Sequence, residues 1–139
     1  MMLKGVILFS LTAAVIGLGI NCRGSGACTS KDALGTLNNL IQGIQGSRQY
    51  NNGEHIACVG RGKGIIGLIN PNDGYCLFLQ GTANGINGDR IKQLIALLME
   101  HGCKGCGSIP INYPDNNPDN GILTSNYVSN KDNPCDGLC

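Results

Sequence analysis

No tryptophan occurs in the 139 residues, and only four tyrosines and two phenylalanines supply large aromatic surface. Aromatic side chains carry the most burial per residue, so this core must be assembled from Leu and Ile and reinforced in some other way. Charge is scarce as well: ten Lys plus Arg face nine Asp plus Glu. With Lys4 set aside as part of the leader described below, the remainder is formally neutral. That excludes a general attraction for nucleic acid or an anionic membrane surface. There is no Asn-x-Ser/Thr sequon, so no N-glycan is expected, and no internal repeat or linker-like stretch divides the chain. Histidine is limited to His55 and His101, each preceded by a glutamate. No paired carboxylates, Ser/His/Asp order or Gly-x-Ser-x-Gly elbow can be assembled around them. No catalytic residue or cofactor is therefore assigned, and a small secreted hydrolase is the least supported function class. His101 reads as a helix C-terminal residue complementing the dipole.

A membrane-spanning run of about 20 apolar residues is also missing. The chain opens instead on a shorter pattern, "MMLKGVILFSLTAAVIGLGI", with one Lys, apolar residues from Val6 to Ile16, and small residues at Gly17 and Gly19. This is the pattern of a secretory signal peptide over residues 1–17, cleaved after Gly17. The expectation is a secreted, extracellular domain over residues 18–139, monomeric and without a membrane span after cleavage.

Cysteine is what the chain does have. Cys22, Cys28, Cys58, Cys76, Cys103, Cys106, Cys135 and Cys139 all follow the leader. An even number in an oxidising compartment reads as a disulfide framework stiffening a modest core. The pair in "MEHGCKGCGS" admits three readings. A redox Cys-x-x-Cys sits at a helix N-terminus, where the dipole lowers the thiol pKa, whereas Cys103 follows a helix C-terminus. A zinc site needs four ligands, and no second Cys-x-x-Cys exists. Two structural half-cystines remain, and both must find partners in one segment because they lie close along the chain.

Two further motifs invite chemistry. "GRGKG", Gly60 to Gly64, lacks the spacing of a phosphate loop. It reads as an inter-strand turn displaying Arg61 and Lys63 to solvent, where they could contact a partner. "DNNPDNG" offers Asp and Asn oxygens but lacks the Gly and Glu positions of a calcium loop, so it reads as an Asx-turn loop, and no metal ligand is assigned.

Leu34, Leu37, Leu40, Ile41 and Ile44 recur at helical spacing and predict a helix from about Lys31 to Gln45, capped by Thr29 or Ser30. A second helix in "NGDRIKQLIALLMEHG" has Asp89 as its expected N-cap, Ile91, Leu94, Ile95, Leu98 and Met99 on one face, and Gly102 as its stop. "HIACVG", "GIIGLIN", "YCLFLQ" and "ILTSNYVS" read as strands, with "NPNDGY" a hairpin turn, and Gly19 to Arg23 as a further edge strand. The fold class expected is α+β: a small disulfide-rich α/β sandwich. Its antiparallel sheet has about four or five strands and is covered by two antiparallel helices.

"GINCRGS" with Cys28 soon after, "HGCKGCGS" behind an apolar helix, and "GILTSNYV" before a C-terminal cysteine together resemble the killer protein 4 family of secreted fungal and fungal-virus killer toxins. The resemblance implies an α/β sandwich and a protein toxin, not an enzyme, that inhibits growth of susceptible fungal cells by blocking calcium channels. The implied partner is a cell-surface target, a calcium channel. A secreted effector acting on a plant or other host cell surface is the alternative. The family carries a functionally important lysine two positions before the cysteine matching Cys58, and here that position is Ile56. Arg61 or Lys63 would have to substitute as target-interaction residues. The resemblance further implies Cys22–Cys103 and Cys28–Cys106 bridges and joins Cys58 to Cys135, leaving Cys76 for the additional Cys139.

Overall fold

Leu34, Leu37 and Ile41 recur three and four residues apart, and in the computed structural model, which describes residues 19–61, 72–131 and 135–139, they form the buried side of α1 (Ala33–Ile41). The helix is shorter than its apolar spacing suggests. Beyond Ile41 the backbone tightens: Gly43 N donates to Leu40 O and Ile44 N to Ile41 O, three residues back in each case. At the other end the N-cap position is Asp32, whose side chain makes no capping hydrogen bond, which corrects the expectation for Thr29 or Ser30. Ser30 Oγ, two residues earlier, accepts from the backbone N–H of Ala33 at 2.9 Å and of Asp32 at 3.2 Å.

The second helix, α2 (Gly88–Glu100), buries Ile91, Leu94, Ile95 and Leu98. Its N-cap is Asn87, whose side chain accepts from Arg90 N at 2.9 Å, which corrects the expectation for Asp89. Asp89 lies within the first turn, exposed, where its charge complements the positive end of the helix. Met99 stands 37 % exposed and so leaves the buried face. The chain turns out at Gly102, whose φ of +104° favours glycine.

Seven strands complete the described residues: β1 (Gln49–Tyr50), β2 (His55–Gly60), β3 (Gly74–Gln80), β4 (Ile86–Asn87), β5 (Gly107–Pro110), β6 (Ile122–Val128) and β7 (Gly137–Leu138). Five form an antiparallel sheet in the order β5-β6-β3-β2-β7, and β1 pairs with β4 in a separate two-stranded ribbon. The strand expected at "GIIGLIN", most of the "GRGKG" turn, including Lys63, and residues 1–17, where a leader is expected, fall outside the described residues. The short N-terminal edge strand reduces to a single bridge, Asn21 to Ser108.

Alternation along the central strands builds the core. Tyr75, Leu77 and Leu79 of β3 lie opposite Tyr127, Ser125 and Leu123 of β6, and Ile109 of β5 lies opposite Leu123. Leu77, Leu79, Leu123 and Ile109 are fully buried with Leu34, Leu37, Ile91, Leu94 and Ile95 from the two helices. The helices therefore cover the sheet with aliphatic side chains, as a chain without tryptophan requires.

Four disulfides join the described cysteines, and none is free. Cys22 is bonded to Cys103 and Cys28 to Cys106, laying the N-terminal segment across the end of α2. The other two pairings differ from the expectation. Cys58 joins Cys76 instead of Cys135, and Cys135 joins Cys139, which leaves no bond between Cys76 and Cys139. The reason is register: Cys58 of β2 lies directly opposite Cys76 of β3, with Cα atoms 4.2 Å apart. The C-terminal pair brackets β7, whose Gly137 lies opposite Cys58 on the other side of β2.

Candidate functional site

Where β2 and β3 run out toward the undescribed 62–71 segment, Gly60 lies opposite Gly74. A Cβ on Gly74 would stand 2.2 Å from Val59 O, so only glycine lets the strands approach this closely. The next residues outward are Arg61 and Asp73. The Arg61 side chain is 46 % exposed, while the Asp73 carboxylate is buried at 7 %. Arg61 Nη1 lies 3.6 Å from Asp73 Oδ2, and its guanidinium carbon sits 5.5 Å from the centre of the Tyr127 ring. Tyr127 in turn donates its hydroxyl to Asp73 Oδ2 at 2.8 Å. That hydrogen bond pushes the Tyr127 phenol above the ordinary tyrosine range, helped by burial and by the Asp73 charge and opposed by Arg61. Among the described residues Asp73 Oδ1 has no hydrogen-bond partner, although it is buried.

Tyr75 supports the cluster from the neighbouring strand, its ring edge-on to Tyr127 at 6.2 Å. Its hydroxyl accepts from the backbone N–H groups of Thr29 and Ser30 and donates to Ala27 O, tying this end of the sheet to the entrance of α1. Lys131 is buried beside Gly60 and Gly74, with Nζ 3.8 Å from Asp136. Two cations, Arg61 and Lys131, thus stand against two acids, Asp73 and Asp136.

Arg61 is consequently not the freely displayed turn charge that its sequence context suggests, but a half-exposed cation anchored on Asp73 and Tyr127. Lys63 lies outside the described residues. Ile56, at the position where the family's lysine is expected, is 1 % exposed in β2, so its side chain serves the core and meets no partner. Asp73 and Tyr127 were missed in the sequence because "NPNDGY" reads as a turn and Tyr127 as one more strand residue. The hint available was Asp73 one residue ahead of a strand that must pair with the strand ending at Gly60.

A second cluster gathers sulfur. His55 Nδ1 lies 3.7 Å from Cys58 Sγ, and Cys139 Sγ lies 3.8 Å from Cys58 Sγ. Because these sulfurs are in disulfides, none offers the thiolate that a soft metal needs. His101 is the C-cap of α2, in agreement with a role at the helix end. No helix among the described residues is long and apolar enough to cross a membrane.

A family model described as Kp4 matches residues 6–129. The chain belongs to the Kp4 family. The KP4 killer toxin of Ustilago maydis P4 virus is 33 % identical to it over 120 residues, covering 86 % of this chain and 87 % of that protein. In this Kp4 chain, then, the α+β sandwich and its two bridges onto the end of α2 form the rigid frame. The Arg61–Asp73–Tyr127 cluster is a charged feature at the end of the sheet where β2 leaves and β3 enters.

Proposed function

We propose that this chain is a secreted killer toxin that stops growth of susceptible fungal cells by blocking calcium channels at their surface, with Arg61 and Lys63 as the cations that meet the target. The reading rests on membership of the Kp4 family across most of the chain, together with a relative named as a killer toxin. The leader over residues 1–17 would deliver the protein to the outside, and four disulfides suit a protein that must persist there. Arg61 remains half exposed beside Asp73 and Tyr127, so part of its guanidinium faces solvent and can meet a target, while Asp73 offsets part of its charge.

The test applies the purified mature protein to sensitive fungal cells with and without excess calcium. Growth arrest that excess calcium relieves is the expected result. Arrest that calcium leaves untouched, or no arrest at any dose, overturns the channel mechanism. Comparison with seedling root growth in the same preparation separates a fungal target from a host-plant one.

A further inference from the structure

We propose that a cleft remote from Arg61, between the β3–β4 loop and the loop joining β5 to β6, binds a neutral oligosaccharide. The cleft has a volume of about 340 Å³, enough for roughly one or two sugar rings. Its apolar lining comes from Ile86 and from the buried Ile111. Asn84, Asn112, Asp119 and Asn120 supply the polar lining. Among the described residues, none of these four side chains has a hydrogen-bond partner within the protein, although many other Asn and Asp side chains here are engaged in turns and caps.

The walls themselves are fixed. Arg90 donates through Nε and Nη2 to Ile111 O at 3.1 and 3.0 Å and through Nη2 to Tyr113 O, clamping one side. On the other side Asn52 Oδ1 accepts from Thr82 N at 3.2 Å, and Thr82 Oγ1 accepts from Gly85 N at 3.0 Å. The sides meet at Gly121, which has a φ of +113° and where a Cβ would stand 2.7 Å from the Thr82 Cβ. The walls are therefore held in place, while the rim amides and the Asp119 carboxylate keep their donors and acceptors available to a ligand, at the cost of ordering them on binding.

Chemistry selects the ligand class. No Lys or Arg lines the cleft, so an anion finds no counter-charge. A single carboxylate is too few for a hard divalent cation, which takes six to eight oxygens, several of them charged. A side-chain amide donates and accepts at once, the pattern that vicinal hydroxyl groups present, and the Asp119 carboxylate adds a further acceptor for a hydroxyl. The aliphatic lining meets the C–H face of a sugar ring. The "DNNPDNG" loop, which reads as a plain turn in the sequence, thereby supplies two of the four polar groups.

The test is a titration of the intact 15N-labelled mature protein, followed by two-dimensional NMR, with soluble β-glucan, chitin and mannan oligosaccharides in separate arms. At least one arm should give saturable shifts confined to the amides of Thr82 to Ile86, Ile111, Asn112 and Asp119 to Gly121. The identity of that arm names the sugar. Asn112→Ala with Asn120→Ala, both exposed, should leave the rest of the spectrum in place and weaken binding at least about tenfold, as loss of one or two hydrogen bonds implies. No shift with any of the three sugars, or shifts that map elsewhere, overturns the proposal. So does binding that survives in the double variant, and the wild-type map decides the matter alone should that variant not fold.

Discussion

The Arg61 guanidinium lies 3.6 Å from the Asp73 carboxylate, which is itself buried. This pairing determines how much of the Arg61 charge reaches solvent and therefore any target. Asp73→Asn keeps an oxygen to accept the Tyr127 hydroxyl while removing the competing negative charge. Growth inhibition per mole should rise by up to several-fold in low salt and converge with wild type as salt screens the added field. A dose-response at two ionic strengths measures it, and a well-folded Asp73→Asn protein that is less potent at low salt would count against the view that Asp73 restrains Arg61.

Removing the cations has the opposite expectation. Arg61→Ala with Lys63→Ala should lower growth inhibition, while Arg61→Ala alone should also cost stability, on the order of 1–3 kcal/mol, because it leaves the buried Asp73 carboxylate with only the Tyr127 hydroxyl as partner. Urea unfolding and a killing assay on the same preparations separate the two effects. Killing by the double variant at the wild-type level in low salt contradicts a contact role for this end of the sheet.

Tyr127 should titrate above the ordinary tyrosine range. Its folded-state pKa is raised, chiefly by the hydrogen bond to Asp73, so the folded protein holds this proton more tightly than the unfolded chain. The associated stabilisation is present in full below the unfolded phenol pKa and is lost as the pH rises through the raised folded value. Carbon NMR of the tyrosine ring resonances follows the titration directly. Asp73→Asn should bring the Tyr127 curve back toward the ordinary range, and an unchanged curve would assign the shift to something other than Asp73.

The disulfides should differ in weight. In the chain-entropy model a bridge across 81 residues, Cys22–Cys103, contributes about 4.5 kcal/mol. One across 18 residues, Cys58–Cys76, contributes about 3 kcal/mol, and one across four, Cys135–Cys139, about 2 kcal/mol. Paired Cys→Ala variants unfolded in urea should lose stability in that order. Mapping of non-reduced peptides should recover the four pairings, and a Cys58–Cys135 peptide would contradict the register argument.

Asn87, not Asp89, should carry the cap of α2. Asn87→Ala removes the side-chain acceptor for Arg90 N and should cost about 1 kcal/mol. Asp89→Ala loses only a favourable dipole interaction, worth about 0.3–1 kcal/mol at an exposed site. Denaturant midpoints of the two variants give the ranking, and equal or reversed losses would move the cap to Asp89.

Much of this was legible along the chain. The spacing of Leu34, Leu37 and Ile41, and of Ile91, Leu94, Ile95 and Leu98, named the buried helix faces because a helix repeats every three to four residues whatever lies against it. The strands β2, β3 and β6 were visible as short apolar runs between turn residues. By contrast β5 was hidden in "GCGSIPI", since four residues with a glycine and a proline read as a loop until β6 supplies the partner. The strands β1, β4 and β7 are two residues long and exist only through their pairing.

What the amino-acid sequence determined by itself was therefore local and compositional: two amphipathic helices, the strand segments, a near-balanced charge, a reliance on cystine in place of aromatic burial, and membership of a toxin family. Which cysteine meets which, and which charges meet at all, was decided only in three dimensions. Cys58 bonds Cys76 because the register of β2 on β3 sets them opposite each other, and Arg61 meets Asp73 because both strands end at the same level. Register depends on which faces the helices bury and on the side chains of every neighbouring strand at once, and a shift of one residue would reverse the sheet faces on which Cys76 and Tyr127 stand.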